Sequence, residues 1–234
     1  GETPLLLAII RDSDVAKILL ANNADVNKAN SYGRTPLWKA SNQNNSEIVQ
    51  ILLANNADVN KAGEDGKTPL YIASHEGHSK IAQLLLANNA DVNKAEKEGK
   101  TPLLVASLYG HIEVAKLLLD NNADVSKADS DGQTPLLHAC HRNRRDVVQL
   151  LLANNSDVNE ADTEGRTPLW WASDAGNSEV AQLLLTNNAD VNKTDEDGKT
   201  PLLMASYHNF DKSKVAQILL ANNADVNKAD NTEY

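Results

Sequence analysis

The sequence predicts an all-α fold, an α-solenoid of seven stacked helix-turn-helix units with protruding β-turn loops. Three observations point there. Thr-Pro-Leu recurs at Thr3, Thr35, Thr68, Thr101, Thr134, Thr167 and Thr200, and five of the six intervals are 33 residues. A Gly-containing acidic stretch such as "DSDG" or "EDG" precedes most of these triplets, and an apolar run closing on "LLLANN" or a near variant follows each. Self-similarity at this period marks a repeat array rather than a domain with one centre.

Each element of the unit follows from its residues. The acidic stretch ending in Gly is a turn. Thr supplies an N-cap oxygen, and Pro occupies the first helical turn, where its missing N–H costs nothing and its fixed φ suits a helix. A break of small residues separates this first helix from a second. There Val180, Leu183 and Leu184 recur at i, i+3 and i+4 to give an apolar face, while Glu179 and Gln182 point away. At Asn23, Asn56, Asn89, Asn122, Asn155, Asn188 and Asn223 the chain should leave the second helix through a left-handed conformation, which Asn tolerates best after Gly. The units run approximately 1–29, 30–62, 63–95, 96–128, 129–161, 162–194 and 195–229 within a single domain, with 230–234 as a tail. The first interval is one residue short, at "IRDSDV", and the seventh unit carries two extra residues within "SYHNFDKSKV".

The period, the "DGxTPLxxA" opening, "GHIEVAKLLL" and "ADVN" resemble ankyrin repeats over essentially the whole chain. The resemblance implies L-shaped units of antiparallel helices stacked into a solenoid whose inner face is lined by first helices and turn tips. It also implies a non-catalytic module for protein–protein interaction. This chain departs from the family in two columns: Leu, Trp or Tyr stands where His usually follows Thr-Pro-Leu, and Asn stands where Gly usually precedes "ADVN".

Composition narrows the function classes. Among 234 residues, 41% are hydrophobic but only 4% aromatic, so the core is aliphatic. A formal charge of -10 argues against nucleic acid as a partner. The chain has no run of eighteen apolar residues that would insert into a membrane, and Cys140, its one cysteine, cannot build a disulfide framework. An intracellular, cytoplasmic monomer with no cofactor is the expectation. Asn44, Asn154 and Asn192 open N-x-[ST] triplets, as chance allows in so Asn-rich a chain.

Repeated columns belong to the scaffold, so columns that differ between units are candidates for recognition. Around a helix at 100° per residue, Ala172, Ser173 and Gly176 share the face of Leu169, while Trp171, Asp174 and Ala175 lie opposite and Trp170 falls between. The Trp170 column (Leu6, Trp38, Tyr71, Leu104, Leu137, Trp170, Leu203) is always bulky and apolar or aromatic, which suits packing. The Trp171 column (Leu7, Lys39, Ile72, Val105, His138, Trp171, Met204) mixes charge, aliphatic and aromatic types, which predicts exposure. With its neighbours it defines a candidate partner-binding groove of Lys39, Gln43, Ile72, His75, Glu76, Val105, Leu108, Tyr109, His138, His141, Arg142, Trp171, Asp174, Met204, Tyr207 and His208. A peptide or helix of another protein is the expected ligand, with Tyr109 and Trp171 as anchors and Arg142 as a charged selector. The alternative is a structural spacer, or a designed repeat protein with no native ligand.

A second candidate surface is the rim of turn tips: Tyr32, Arg34, Asp65, Lys67, Glu98, Lys100, Asp131, Glu164, Arg166 and Asp197. Its alternating charges also suit a solvated face. The resemblance further makes Asn27, Asn60, Asn93, Asn159, Asn192 and Asn227 candidate hydroxylation sites, against the alternative that each side chain hydrogen-bonds its own loop. Ser126 interrupts that series. Catalytic and metal chemistry are not expected: Cys140 falls on the packed face away from His138 and His141, and no Gly-rich phosphate loop is present. The last unit keeps its apolar pattern without a polar cap, as in a fragment of a longer array or a constructed protein.

Overall fold

The computed structural model describes residues 1–207 and 212–231. Among the described residues the chain forms fourteen α-helices and no strand. They alternate as first and second helices: α1 (Pro4–Arg11) and α2 (Ser13–Ala21), α3 (Pro36–Asn42) and α4 (Ser46–Ala54), α5 (Pro69–His75) and α6 (Ser79–Ala87), α7 (Pro102–Tyr109) and α8 (Ile112–Asp120). Then come α9 (Pro135–His141) and α10 (Arg145–Ala153), α11 (Pro168–Asp174) and α12 (Ser178–Thr186), α13 (Pro201–Ser206) and α14 (Ser213–Ala221).

Two compact units result, one of residues 1–106 with 113–124, the other of 107–112 with 125–234. In unit 1, α1, α3 and α5 pack side by side as one layer and α2, α4 and α6 as a second. Its core of Leu37, Ile48, Leu52, Leu70, Ile81 and Leu85 is fully buried. Unit 2 repeats the plan, with α9, α11 and α13 packed against α10, α12 and α14 around Leu136, Val148, Leu151, Leu169, Val180 and Leu184. No helix pair of this size buries its own apolar face, so neighbouring pairs supply the cover.

The helix ends form as the residues require. Thr35, in extended conformation, accepts the Trp38 N–H on its hydroxyl at 3.1 Å, and Pro36 follows at the first helical position. The same cap opens α1, α5, α9, α11 and α13. At the far end the paired asparagines divide the work. Asn55 donates its amide to the Ile51 carbonyl at 2.8 Å, and Asn56 takes φ 61°, letting the Ala57 N–H reach the Leu52 carbonyl at 3.0 Å. This Schellman closure satisfies carbonyls the helix leaves open, and all seven predicted asparagines have positive φ. Asn44 and Asn143 adopt φ 56° as well, in the break between first and second helices, where Gly77, Gly110 and Gly176 stand in other repeats.

The turns are coupled through the backbone. Glu196 N–H donates to the Glu164 carbonyl at 3.0 Å, as Glu64 does to Tyr32 at 3.0 Å. Gly165 permits this approach, since at φ 77° a Cβ would sit 3.1 Å from the Glu196 nitrogen. Loops are coupled by side chains. Asn27 accepts the Asp58 N–H at 2.8 Å, Asn60 that of Asp91, Asn93 that of Asp124, Asn159 that of Asp190 and Asn192 that of Asp225, all at 2.8 Å. The expectation that each Asn bonds its own loop is thereby corrected: Asp25 performs that local task through the Asn27 N–H, freeing the Asn27 amide to hold the next repeat.

Candidate functional site

One side-chain position organises the first-helix face. In unit 2, Asp162 is buried, and its Oδ1 accepts the backbone N–H groups of Glu164 (3.1 Å) and Arg166 (2.9 Å). Its Oδ2 accepts Arg166 Nε at 2.8 Å and Trp171 Nε1 at 3.1 Å. The carboxylate therefore closes the turn and ties it to the following helix. Asp129 does the same, accepting from Asp131 and Gln133 on Oδ1 and lying 2.9 Å from His138 Nε2 through Oδ2. Asn30 in unit 1 closes its turn by accepting from Tyr32 and Arg34.

This arrangement overturns the predicted exposure of the Trp171 column. Ile72, Val105, His138 and Met204 are buried, Lys39 and Trp171 are half-buried, and Leu7 is exposed. In unit 1, Ile72 and Val105 join a buried cluster with Trp38, Tyr71 and Leu104. Two polar residues of the column are received by a turn carboxylate nine residues earlier. Asp129 pairs with His138 and Asp162 with Trp171, whereas Gly63 precedes the apolar Ile72. Glu96 and Asp195 close their turns in the same way nine residues before the apolar Val105 and Met204, so the carboxylate permits a polar residue in the column without requiring one. The Trp170 column packs as predicted in six repeats, with Leu6, Trp38, Tyr71, Leu104, Leu137 and Trp170 buried, while Leu203 is half-buried.

The solvent-facing residues form a smaller set than predicted. In unit 1, Gln43 and Glu76 are exposed and His75 is half-buried, with His75 Nδ1 2.9 Å from Glu76. In unit 2, Tyr109 is 43% and Tyr207 47% exposed, Arg142 is exposed, and Leu108, His141 and Asp174 are half-buried. His208 lies outside the described residues. Trp171 is held on several sides: the His141 ring lies 4.4 Å away, the Arg166 guanidinium 4.4 Å from its centroid, and Trp170 meets it edge-on at 5.2 Å. Such contacts fix the orientation of the indole.

A row of nitrogen donors at the start of the second helices, unread in the sequence, latches successive repeats. His78 Nε2 faces the Asn42 carbonyl at 3.3 Å, Arg144 Nε donates to the Leu108 carbonyl at 3.2 Å, and Asn177 donates to the carbonyls of Cys140 and His141 at 2.9 and 3.2 Å. Asn177 thus holds the backbone that carries His141. At the rim, most acids are neutralised within their own turns: Asp65 by Lys67 (3.5 Å), Glu98 by Lys100 (2.7 Å), Glu164 by Arg166 (2.8 Å) and Asp197 by Lys199 (2.7 Å). Asp131 has Gln133 in the place of the cation. Tyr32 is 62% exposed beside Arg34, whose guanidinium stacks on Trp38 at 4.4 Å. The asparagines read as hydroxylation candidates sit in the loop ladder, where Asn27, Asn60, Asn93, Asn159 and Asn192 also donate to a carbonyl of the next repeat at 3.4 Å. Asn227 bonds within its own loop, through its N–H to Asp225.

Burial holds the His141 imidazole below its ordinary value of 6.5, with Arg142, His138 and Arg166 adding to the shift and Asp174 opposing it. The unfolded chain therefore takes up this proton first as the pH falls below about 6.5. Stability is lost through that window and unaffected by His141 above it. Denaturant midpoints measured at about pH 7.5 and about pH 5.5 should differ more in the wild-type chain than in His141→Leu, which borrows the residue found at Leu108. An equal drop in both would mean that His141 contributes nothing. Cys140 is fully buried, which pushes its thiol far up, and it takes no part in this surface.

Comparisons with known proteins agree with this architecture. A family model described as ankyrin repeats (3 copies) matches residues 1–63, 40–129, 126–195 and 160–230. Among solved structures, the ankyrin repeat domain of human ASB11 is similar, with 28% identity, a TM-score of 0.85, and coverage of 94% of this chain and 98% of that one. No curated protein matches at a significant level. Among the described residues no helix is long and apolar enough to cross a membrane.

Proposed function

This chain belongs to the ankyrin repeat family, and from that premise we propose a non-catalytic recognition module that binds a peptide or protein segment of a partner on the solvent-facing side of its first helices. Ankyrin repeats generally mediate protein–protein interaction. One observation carries the reading furthest: in unit 2, Tyr109, Arg142 and Tyr207, at or just past the ends of first helices, are exposed, and His141 and Trp171, whose rings lie 4.4 Å apart, are half-buried. Tyr, Trp and Arg are the types that dominate binding energy, and a partner meeting a fixed indole loses little further entropy on ordering it. In unit 2, His138 and Met204 of the predicted groove are buried and stand outside this surface.

The test is a peptide-display selection against the full chain, with the selected peptides titrated against variants. Tyr109→Ala should weaken a selected peptide about 10- to 30-fold while moving stability by less than about 0.5 kcal/mol. Trp171→Ala should cost both affinity and stability, because the indole is half-buried and hydrogen-bonded to Asp162. A selection that returns no saturable binder would favour the spacer reading, and binders indifferent to Tyr109 and Trp171 would place recognition elsewhere.

A further inference from the structure

We propose that the segment bound by unit 2 carries an acidic side chain that pairs with Arg142, about three residues of extended chain away from an apolar or aromatic side chain lying on Tyr109. This rests on the reading above and names the chemistry of its ligand.

Among the described residues Arg142 is exposed, and neither an ion pair nor a hydrogen bond reaches its guanidinium. The neighbouring arginines are all engaged. Arg144 donates to the Leu108 carbonyl, Arg145 lies 3.7 Å from both Asp146 and Glu179, and Arg166 is held by Asp162 and Glu164 at 2.8 Å. The nearby carboxylates are engaged too: Asp129 with His138 and its turn, Asp162 with Arg166 and Trp171, Asp174 with Lys212 at 3.5 Å. Arg142 thus presents an uncompensated positive charge on a chain whose net charge is -10. The fold does not ask for a cation there, since Gln43, Glu76, Tyr109 and Ala175 occupy the same place in other repeats.

Unit 1 shows the contrast. At the equivalent place Glu76 lies 2.9 Å from the His75 ring, and the nearby cation Lys39 lies 3.8 Å from Glu2. A planar guanidinium in solvent can receive a carboxylate through two parallel hydrogen bonds, which fixes orientation as well as charge. Tyr109 occupies the Arg142 position one repeat earlier, and Gly110 beside it lies against the Arg144 side chain. The Arg144 bond to the Leu108 carbonyl brings these two positions into adjacent rows, and a spacing of about 10 Å between such rows is crossed by an extended segment in about three residues. Elsewhere the acidic surface repels an anionic peptide, so the attraction is local and selective.

The experiment displays random peptides against the full chain and titrates the enriched ones. Enriched peptides should share an Asp or Glu. Arg142→Gln should weaken them about 10- to 100-fold, the matching Glu→Gln peptide should lose as much, and the two changes together should cost little more than either alone. Gln already occupies this place at Gln43, so the variant should fold, and its denaturant midpoint checks that it does. Peptides that depend on Tyr109 but are indifferent to Arg142 would overturn this proposal and leave the recognition surface standing. Peptides indifferent to both residues, or no enrichment, would overturn both.

Discussion

Trp170→Ala should lower the stability of unit 2 by about 3–5 kcal/mol, whereas Trp170→Leu should cost about 1–2 kcal/mol. The indole is buried in the column that Leu104 and Leu137 fill in the preceding repeats, so the space is shaped for a large apolar group rather than for Trp alone. Ala leaves a cavity that two layers of helices cannot both close over. Leu leaves a smaller one and also removes the Nε1–H of Trp170, which is buried with no hydrogen-bond partner. An unpaired buried donor carries a desolvation cost that its removal recovers. Equilibrium unfolding in urea, followed by circular dichroism, distinguishes the two. Because repeat arrays lose cooperativity when one interface weakens, the slope of the transition is compared along with its midpoint. Equal losses for Ala and Leu would mean that Trp170 acts through something other than its volume.

Asp162→Ala should cost about 3–5 kcal/mol, comparable to opening the core, although it removes only a few atoms from a turn. It strands the N–H groups of Glu164 and Arg166, the Trp171 Nε1–H and part of the Arg166 charge at once. Asp162→Asn keeps an acceptor for the turn, as Asn30 does, and gives up the charge on Arg166, so about 1–2 kcal/mol is expected. Released from Asp162, Trp171 should also emit at longer wavelength in the Ala variant before global unfolding. If Asp162→Ala matched wild type in both midpoint and emission, the carboxylate would not be what fixes the indole.

The helix pairs were legible in the sequence because their signals are local. Thr-Pro caps, the i, i+3, i+4 spacing and the paired asparagines each act within one turn of chain, and the observed helices start and stop where these residues stand. Trp170 was legible because its column holds only large apolar or aromatic groups. Leu183 illustrates the limit of a wheel: it was placed on the apolar face but is half-buried, while Ala181 is fully buried beside Val180 and Leu184. The Trp171 column failed for a related reason. Helical angle fixes the side from which a residue projects, but not whether a turn folds back over it, and here a carboxylate from that turn makes burial acceptable to His138 and partly to Trp171. Mixed polarity was taken for exposure because its polar partner lay nine positions upstream. The loop asparagines misled similarly: their partners lie in the next repeat, as Asp58 does for Asn27, beyond any local window.

The pairing of turn carboxylate with helix residue makes the stretch from position 162 to 171 a cassette, joined to its neighbours through Thr163 to Asp131, Glu196 to Glu164 and the His141 ring on Trp171. It carries its own turn closure, its own N-cap and the acceptor for the indole it displays. A residue transplanted singly into this column would meet either an unmatched carboxylate or none. Transplanted together with its turn, it arrives already solvated by the protein. A helix residue in this column and the turn carboxylate that receives it are therefore best exchanged as one block, with the backbone bonds to the adjacent turns kept in place.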